Sequence, residues 1–358
     1  MIWIISALLL FLGFSMSMTP YITQRGIIFG VTLSKETDDI IQLKKRYFNQ
    51  NMLLSIVMIL LFIFFDKGLN LSEETLSIIM VVFISLQMVF GIVAYFIANR
   101  QVACYKNQLI KEGYQPNKKM VLDLNYRETM TIFPTWLLVA IQLIIIAIEI
   151  IITIKHQAII PNKIIMQWDF QGNPTRIVDK TWFNIYSLPI IQLVMVFILS
   201  ITNESYKRGK QRVMNNQSVK WSQSFRKISS YVGVVIAVLV QITIFSIQMT
   251  SVVPLLTEKT LFKIFIILLG LMLLTIISLM VIYGQSGSRL NPSSVIPQAY
   301  DDDKYWKWGM FYYNREDPSF WVEKRMGIGM TINLANWKAV AFVVIPIVFM
   351  LGVSFFIS

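Results

Sequence analysis

The sequence has very little of the residue types that build disulfides, metal sites and charged surfaces. Its 358 residues include a single cysteine, Cys104, and a single histidine, His156. One cysteine allows no intramolecular disulfide, and one histidine disfavours a Ser-His-Asp triad or a zinc site built on two histidines. Only 15% of the residues are charged, whereas soluble domains average about 25%. We therefore expect no cofactor, no metal ion and no catalytic centre, and the composition excludes a disordered chain and an ordinary soluble enzyme.

Apolar residues are abundant and occur in long runs. They make up 55% of the chain, and its mean hydropathy is +0.60. A helix needs about 20 apolar residues to cross a hydrocarbon core of about 30 Å. Eight segments reach or approach that length: 1–18, 51–65, 76–98, 132–154, 182–201, 229–250, 261–284 and 338–357. The sequence therefore predicts an all-α polytopic membrane protein with about eight transmembrane helices and the lipid bilayer as a partner. We interpret the first segment as a retained helix, because it lacks a positively charged start and a small-residue cleavage site.

The positive charge of the chain is concentrated in alternate loops. The formal net charge is +12, and 25 of the 32 Lys and Arg residues lie in segments 19–50, 99–131, 202–228 and 285–338. Basic residues mark the cytoplasmic side of a membrane protein. We predict a multi-pass protein of a bacterial cell membrane, with these segments inside and both termini outside. The charge then reflects topology and anionic lipid, and it gives no support for nucleic acid as a partner.

Three segments outside the spans are long enough to carry a function: the inner loop 19–50, the outer loop 155–181 and the inner segment 285–337. The outer loop 155–181 contains Gly172-Asn173-Pro174, a turn signal between alternating apolar residues, which predicts a short hairpin. The aromatic-rich inner segment 285–337 is predicted to form a small β-containing cytoplasmic element before the last helix. Its β-like runs are Met310–Tyr313, Phe320–Val322 and Met330–Leu334.

The chain is predicted to have four parts. They are a three-helix membrane region with inner loops (1–131), a membrane region with the outer hairpin (132–284), the cytoplasmic aromatic-rich domain (285–337) and the last transmembrane helix (338–358). The acidic run Asp301–Asp303 in the third part lacks the spacing of a Ca²⁺ site, and we interpret it as a solvated turn.

The outer loop carries the first family resemblance. Ile164–Lys180 resembles the signature of an uncharacterised bacterial membrane domain, through Trp168, Gly172, Pro174 and Lys180. Gln167 stands where the family has His. Relatives of this domain include SdpI-like proteins, which give immunity to a secreted killing toxin and take part in toxin-dependent signalling. The resemblance implies a role in immunity or signalling for this chain.

The inner segment carries a second resemblance. Tyr305–Asn333 is similar to an uncharacterised domain found at the end of such membrane proteins in Gram-positive bacteria. The residues of this motif that we single out are Trp308, Tyr312, Asn314, Asp317, Pro318, Lys324, Arg325, Gly327, Gly329 and Asn333. Gly327 and Gly329 follow two basic residues, as in a phosphate-binding loop, but P-loop spacing is absent and turn glycines explain them better. A cytoplasmic regulator is the partner that this domain suggests.

Polar residues inside the spans are candidates for a binding site. Glu149 is the only ionisable residue well inside a predicted span. Such a carboxyl either forms a proton- or cation-sensitive site or an anchor for a polar ligand, or it lies near the outer interface and pairs with Lys155 or a facing Gln. The glutamines at 87, 142, 192 and 241 either build a polar pathway or make interhelical hydrogen bonds.

Charged and aromatic residues of the outer loop are candidates for peptide or lipid-headgroup binding. They are Trp168, Asp169, Arg176, Asp179 and Lys180. In the alternative interpretation, Arg176 and the two aspartates pair with each other and stabilise the hairpin.

Three functions are compatible with these features. The resemblance favours a non-enzymatic membrane protein that senses, or gives immunity to, envelope-active peptides or envelope stress, with a secreted peptide bound outside. A transporter or permease subunit is the alternative, although the spans lack matched pairs of broken helices. The third function is a membrane enzyme acting on a lipid-linked substrate, which would need a carboxylate pair such as Asp169 and Asp179.

Overall fold

Long helices make up most of the chain. The computed structural model describes residues 2–34, 36–69, 71–117, 126–168, 174–210, 216–290 and 299–357. The helices are α1 (Ile2–Ile22), α2 (Asp38–Gly68), α3 (Glu73–Lys111), the short α4 (Tyr126–Thr129), α5 (Thr135–Lys155), α6 (Trp182–Arg208), α7 (Asn216–Ser251), α8 (Glu258–Ile282) and α9 (Trp337–Ile357). Seven of them, α1 to α3 and α5 to α8, are long and apolar enough to cross a membrane. The predicted multi-pass helical architecture is therefore confirmed, and the eighth predicted span lies in α9.

The surfaces of these helices are apolar. Ile78 and Val81 on α3 are 59% and 58% exposed, and Ile267 and Leu274 on α8 are 61% and 60% exposed. Soluble proteins rarely expose continuous apolar surface of this kind. Lipid, whose chains are as apolar as leucine, is the solvent that suits it.

The strands form short antiparallel hairpins. They are β1 (Ile27–Ile28) with β2 (Val31–Thr32), β3 (Lys163–Trp168) with β4 (Pro174–Asp179), β5 (Trp306–Lys307) with β6 (Phe311–Tyr312), and β7 (Trp321–Glu323) with β8 (Met330–Ile332). The hairpin predicted for the outer loop is confirmed, although residues 169–173, including its turn, lie outside the described residues. Of the three β-like runs predicted in the inner segment, the first contains β6, the second overlaps β7 and the third contains β8.

The chain divides into two compact units. Unit 1 consists of Met1–Thr129, Gly209–Phe225 and Ile277–Asn336, and unit 2 of Met130–Arg208, Arg226–Ile276 and Trp337–Ser358. Each unit combines segments that are distant in sequence, so the N-terminal helices and most of the inner segment 285–337 belong to one unit.

Unit 1 is built on α1, α2 and α3, which pack against each other. Phe29, Tyr47 and Tyr95 meet edge to face at its buried centre, with ring centroids 5.2 to 6.4 Å apart. Gln87 donates to the Leu9 carbonyl at 2.9 Å and to the Ser55 hydroxyl at 2.7 Å. The predicted interhelical role of this glutamine is confirmed.

Unit 2 contains α5, α6, most of α7 and α8, and α9, with the β3–β4 hairpin at one end. The hairpin buries Ile164 completely, in a cluster with Ile160, Ile185, Met249 and Val252. Burial of apolar surface contributes about 25 cal/mol of stabilisation per Å². The cluster therefore stabilises the packing of the hairpin against the helices.

Candidate functional site

A polar stripe runs along one face of the otherwise apolar helix α5. Gln142, Glu149 and Thr153 are at most 1% exposed. Their spacings of seven and four residues place them on the same side of a helix. The side chain of Thr153 donates to the Glu149 carbonyl at 2.8 Å. The stripe faces the interior of unit 2 and not lipid.

Glutamines on α6 and α7 meet this stripe. Gln241 donates to the side-chain oxygen of Gln142 at 3.2 Å, and Gln192 donates to the Gln241 carbonyl at 3.3 Å. Farther along α7, Gln248 donates to the Thr153 hydroxyl at 3.2 Å. We call these six residues of α5, α6 and α7 the polar column: Gln142, Glu149, Thr153, Gln192, Gln241 and Gln248.

A proline gives the polar column one of its backbone partners. Pro189 lies inside α6 and has no N–H to donate, so the carbonyl four residues earlier, at Ile185, loses its helical partner. Gln248 donates to this carbonyl at 3.0 Å. A side chain from α7 thus satisfies a group that an unbroken α6 would satisfy itself.

Glu149 is the least satisfied member of the polar column. The Gln192 amide group lies near its carboxyl, yet neither Glu149 oxygen accepts a hydrogen bond from any described group. The side-chain oxygens of Gln192, Gln241 and Gln248 also lack donors among the described residues. One of the alternatives for Glu149 was an ion pair with Lys155. No such pair occurs among the described residues, because Lys155 is exposed at the end of α5.

The predicted outer-loop residues lie on or beside the β3–β4 hairpin. Lys180 donates to the carbonyls of Gln157 and Ile160, at 3.2 and 2.9 Å, and so fixes the turn before the hairpin. Asp179 is exposed and opposite Lys163 in the register. The suggested pairing of Arg176 with Asp179 is not found among the described residues, and Asp169 lies outside them. Trp168 ends β3.

The outward face of the hairpin is amphipathic. Ile165 and Ile177 are directly opposite each other, and Ile177 is 52% exposed. Lys163 and Asp179 flank this apolar pair. In the part of the chain that the structure describes, the sheet has only these two strands, so each strand has a free edge that can accept another strand.

The motif of the inner segment centres on Arg325, which is completely buried in unit 1. Its guanidinium donates to the Gly30 carbonyl, to Asp302, to Asp303 at 2.5 Å and to the Thr32 hydroxyl at 3.0 Å. It also lies 5.0 Å from the centre of the Trp306 ring. We call Arg325 and its acidic partners the arginine hub. Because a planar guanidinium presents a fixed fork of donors, lysine would not replace it.

The acidic run Asp301–Asp303 belongs to this hub, and the expectation of a solvated turn is wrong. Lys106 on α3 pairs with Asp301 at 2.8 Å and with Asp303 at 2.7 Å. Burial alone would raise the pKa of the Asp303 carboxyl, but the positive charges of Arg325 and Lys106 hold that pKa well below its usual range. The carboxylates remain ionised because the hub compensates their charge.

Other motif residues build a hydrogen-bonded frame around the hub. The Asp317 carboxylate accepts from Tyr312 and from Lys210, both at 2.6 Å. Burial would raise its pKa, but these donors lower it to about 2. The Asn333 side chain donates to the Asn314 and Asp317 carbonyls at 2.8 and 2.9 Å. These contacts define structural roles for Tyr312, Asn314, Asp317 and Asn333.

The remaining motif residues lie at the edges of the frame. Trp308 is 58% exposed and contacts Phe311, and Pro318 and Lys324 are exposed. Gly327 and Gly329 have φ of 75° and 106° in the β7–β8 turn. This geometry supports turn glycines and not a phosphate cradle. A cavity of about 640 Å³ beside the hub is lined by Lys106, Asp301 and Asp303 among others, whose charges already compensate one another.

Comparison with known families matches residues 315–340 to a family of unknown function (DUF5808). The matched segment includes Asp317, Arg325 and Asn333. No curated protein matches the chain, and no solved structure does. The match therefore concerns the frame around the arginine hub and carries no assigned activity.

Sequence reasoning missed several members of these sites. Lys106 and Thr32 reach Arg325 or its acidic partners over sequence separations of 195 to 293 residues. A run of three aspartates in a strongly basic chain was the available signal for a buried cationic partner. Gln248 was missed because it lies close to the end of its predicted span.

Proposed function

We propose that this chain is a non-enzymatic membrane protein that senses, or gives immunity to, peptides acting on the cell envelope. The observation that carries the proposal is the β3–β4 hairpin. One of its faces is packed into unit 2, and the other carries the opposed pair Ile165 and Ile177 next to the opposed pair Lys163 and Asp179. An extended peptide recognises such a hairpin by adding a strand to a free edge and placing apolar side chains on the partly exposed Ile165 and the exposed Ile177.

The position of the hairpin supports a coupling to the helices. Ile164 and Ile185 share one cluster, and the Ile185 carbonyl accepts from Gln248 of the polar column. A peptide that moves the hairpin would therefore act on the packing of α6 and α7. Such a response requires the peptide to bind two arrangements of unit 2 with different affinities. The resemblance of Ile164–Lys180 to SdpI-like proteins favours the same role.

The experiment is a survival assay in a bacterial host that lacks the gene. The host carries the wild-type gene, an Ile177→Lys variant or an empty vector, and is exposed to a panel of secreted killing peptides and envelope antibiotics. We expect selective protection by the wild type against one peptide. Ile177→Lys should reduce that protection about tenfold, as expected for a loss of about 1.4 kcal/mol of binding free energy.

Ile159→Lys is the matched control. Ile159 is 50% exposed in unit 2 but lies in the turn before the hairpin. At equal membrane abundance, this variant should protect like the wild type. The proposal fails if the wild type protects against nothing in the panel, or if both variants lose protection equally.

Transport is the second candidate, and one observation favours it. The polar column contains unsatisfied oxygens deep in a helical unit, and buried polar groups of this kind mark substrate or ion pathways. Uptake or export of a solute by reconstituted vesicles, in the absence of any envelope peptide, would favour this function over sensing.

A further inference from the structure

The unsatisfied groups of the polar column are unbalanced. The carboxyl and amide atoms without a partner among the described residues are all acceptors: both oxygens of Glu149 and the side-chain oxygens of Gln192, Gln241 and Gln248. The side-chain N–H groups of these glutamines are in use, on Gln142, Thr153 and backbone carbonyls. The polar column therefore has unused hydrogen-bond acceptors, and what it lacks is positive charge and hydrogen-bond donors.

A buried carboxylate needs a compensating charge. Isolated charges are very costly in a low-dielectric interior. Arg325 in unit 1 is compensated by Asp302 and Asp303, whereas Glu149 forms no ion pair among the described residues of unit 2. The polar groups that face it from α5, α6 and α7 are neutral.

We propose that the polar column binds a small monovalent metal cation at Glu149. One carboxylate balances one positive charge, and neutral amide oxygens, such as that of Gln192, are ligands for alkali cations in place of water. A divalent ion fits less well, because no group of three Asp, Glu, His or Cys side chains occurs among the described residues. A proton would also neutralise Glu149, but the resulting hydroxyl donates only one hydrogen bond, whereas a metal cation contacts several oxygens at once.

Binding is tested on the purified full chain in lipid nanodiscs. Thermal unfolding is followed in lithium, sodium or potassium chloride and in N-methyl-D-glucamine chloride at equal ionic strength. The large organic cation cannot enter a buried site, so it sets the baseline. At a hundredfold excess over Kd, the bound cation should raise Tm by about 5 °C. Equilibrium dialysis should find about one bound cation per chain.

Two variants locate the site. Glu149→Gln should remove the cation-dependent rise in Tm and the bound cation. Glu204→Gln is the matched control, because Glu204 lies on α6 of the same unit but pairs with Arg208 outside the polar column. This variant should keep both signals.

Some outcomes would overturn the proposal. If the wild type binds no alkali cation in dialysis and its Tm is the same in all the salts, the site is absent, whatever the variants do. The same follows if Glu149→Gln retains the cation-dependent rise. The assay contains no peptide, so its result is independent of the survival assay at the hairpin.

Discussion

Two fully buried charges, Arg325 and Glu149, have opposite surroundings. Arg325 donates to carboxylates, a carbonyl and a hydroxyl and stacks near Trp306. Glu149 has only the neutral Gln192 amide near its carboxyl, and neither of its oxygens accepts a hydrogen bond from the described residues. Removing a partner from a buried charge that carboxylates compensate destabilises the fold, whereas a buried charge without a compensating partner is a site that a ligand can complete. This difference supports a structural role for Arg325 and is the basis of the cation site proposed at Glu149.

Replacing Arg325 tests the structural assignment. Arg325→Met removes one partner of buried ion pairs and leaves Asp302 and Asp303 uncompensated, so we expect a loss of about 3–5 kcal/mol of stability in unit 1. Thermal unfolding of the purified protein, followed by tryptophan fluorescence, measures this loss. Arg315→Met is the control, since Arg315 is exposed in the same segment. If Arg325→Met is as stable as Arg315→Met, the structural role assigned to Arg325 is wrong.

At the scale of elements, two tight turns meet in unit 1. The β1–β2 turn places Phe29 and Gly30 at φ of 46° and 79°, and the turn after β5 places Trp308 and Gly309 at 56° and 69°. A Cβ on Gly30 would lie 2.4 Å from the Gly309 Cα. Asn99 on α3 donates to the Phe29 carbonyl at 2.7 Å. Glycine at both positions thus allows the two hairpins to dock backbone to backbone.

The docking predicts a difference between two glycine substitutions. In Gly309→Ala the new Cβ would meet the Asn99 side chain at 2.5 Å and the Phe29 carbonyl at 2.9 Å. We expect a loss of about 2–4 kcal/mol, from the positive φ and the overpacking together. Gly327 also has a positive φ, but a Cβ there would meet no atom of the described residues within 4 Å, so we expect Gly327→Ala to cost only about 1–2 kcal/mol of stability. Equal shifts of Tm in the two variants would exclude a packing role for Gly309.

The sequence predicts elements better than it predicts these contacts. Apolar length is sufficient to predict the helices, and the turn signal in the sequence Gly172-Asn173-Pro174 is sufficient to predict β3 and β4. The sequence does not predict β1 and β2. Each is only two residues long, and the turn between them packs against the distant Gly309. The glutamines at 142, 192 and 241 could be singled out from their position in spans, but their hydrogen bonds depend on how α5, α6 and α7 pack. The alternation of side chains along a strand predicts which hairpin residues face outward. The arginine hub cannot be predicted in this way, because its members are distant in sequence and meet only in the folded protein.

At the scale of the whole molecule, the alternation of basic loops gives the orientation proposed for the chain. This orientation places the turn before β3 outside and the end of α6 inside. Asn162 and Lys207 are exposed at these two places, and the natural Cys104 is exposed on α3. The three positions therefore report on the arrangement of the spans.

Labelling with a membrane-impermeant maleimide tests the orientation. In a Cys104→Ser background, Asn162→Cys should react in intact cells, whereas Lys207→Cys should react only after the cells are opened. The unchanged Cys104 should behave like Lys207→Cys, since it lies in a basic inner segment. Labelling of both introduced cysteines in intact cells would show that the number of spans between them is wrong.

The long separations within the arginine hub have a consequence for biosynthesis. Thr32 and Arg325 are 293 residues apart, and synthesis at about 5–20 residues per second leaves about 15–60 s between them. Lys106 and the Gly30 turn therefore leave the ribosome well before their partners exist. Unit 1 can close only after nearly the whole chain has been made, so a chain truncated before residue 299 would present an open first unit to the proteases of the cell.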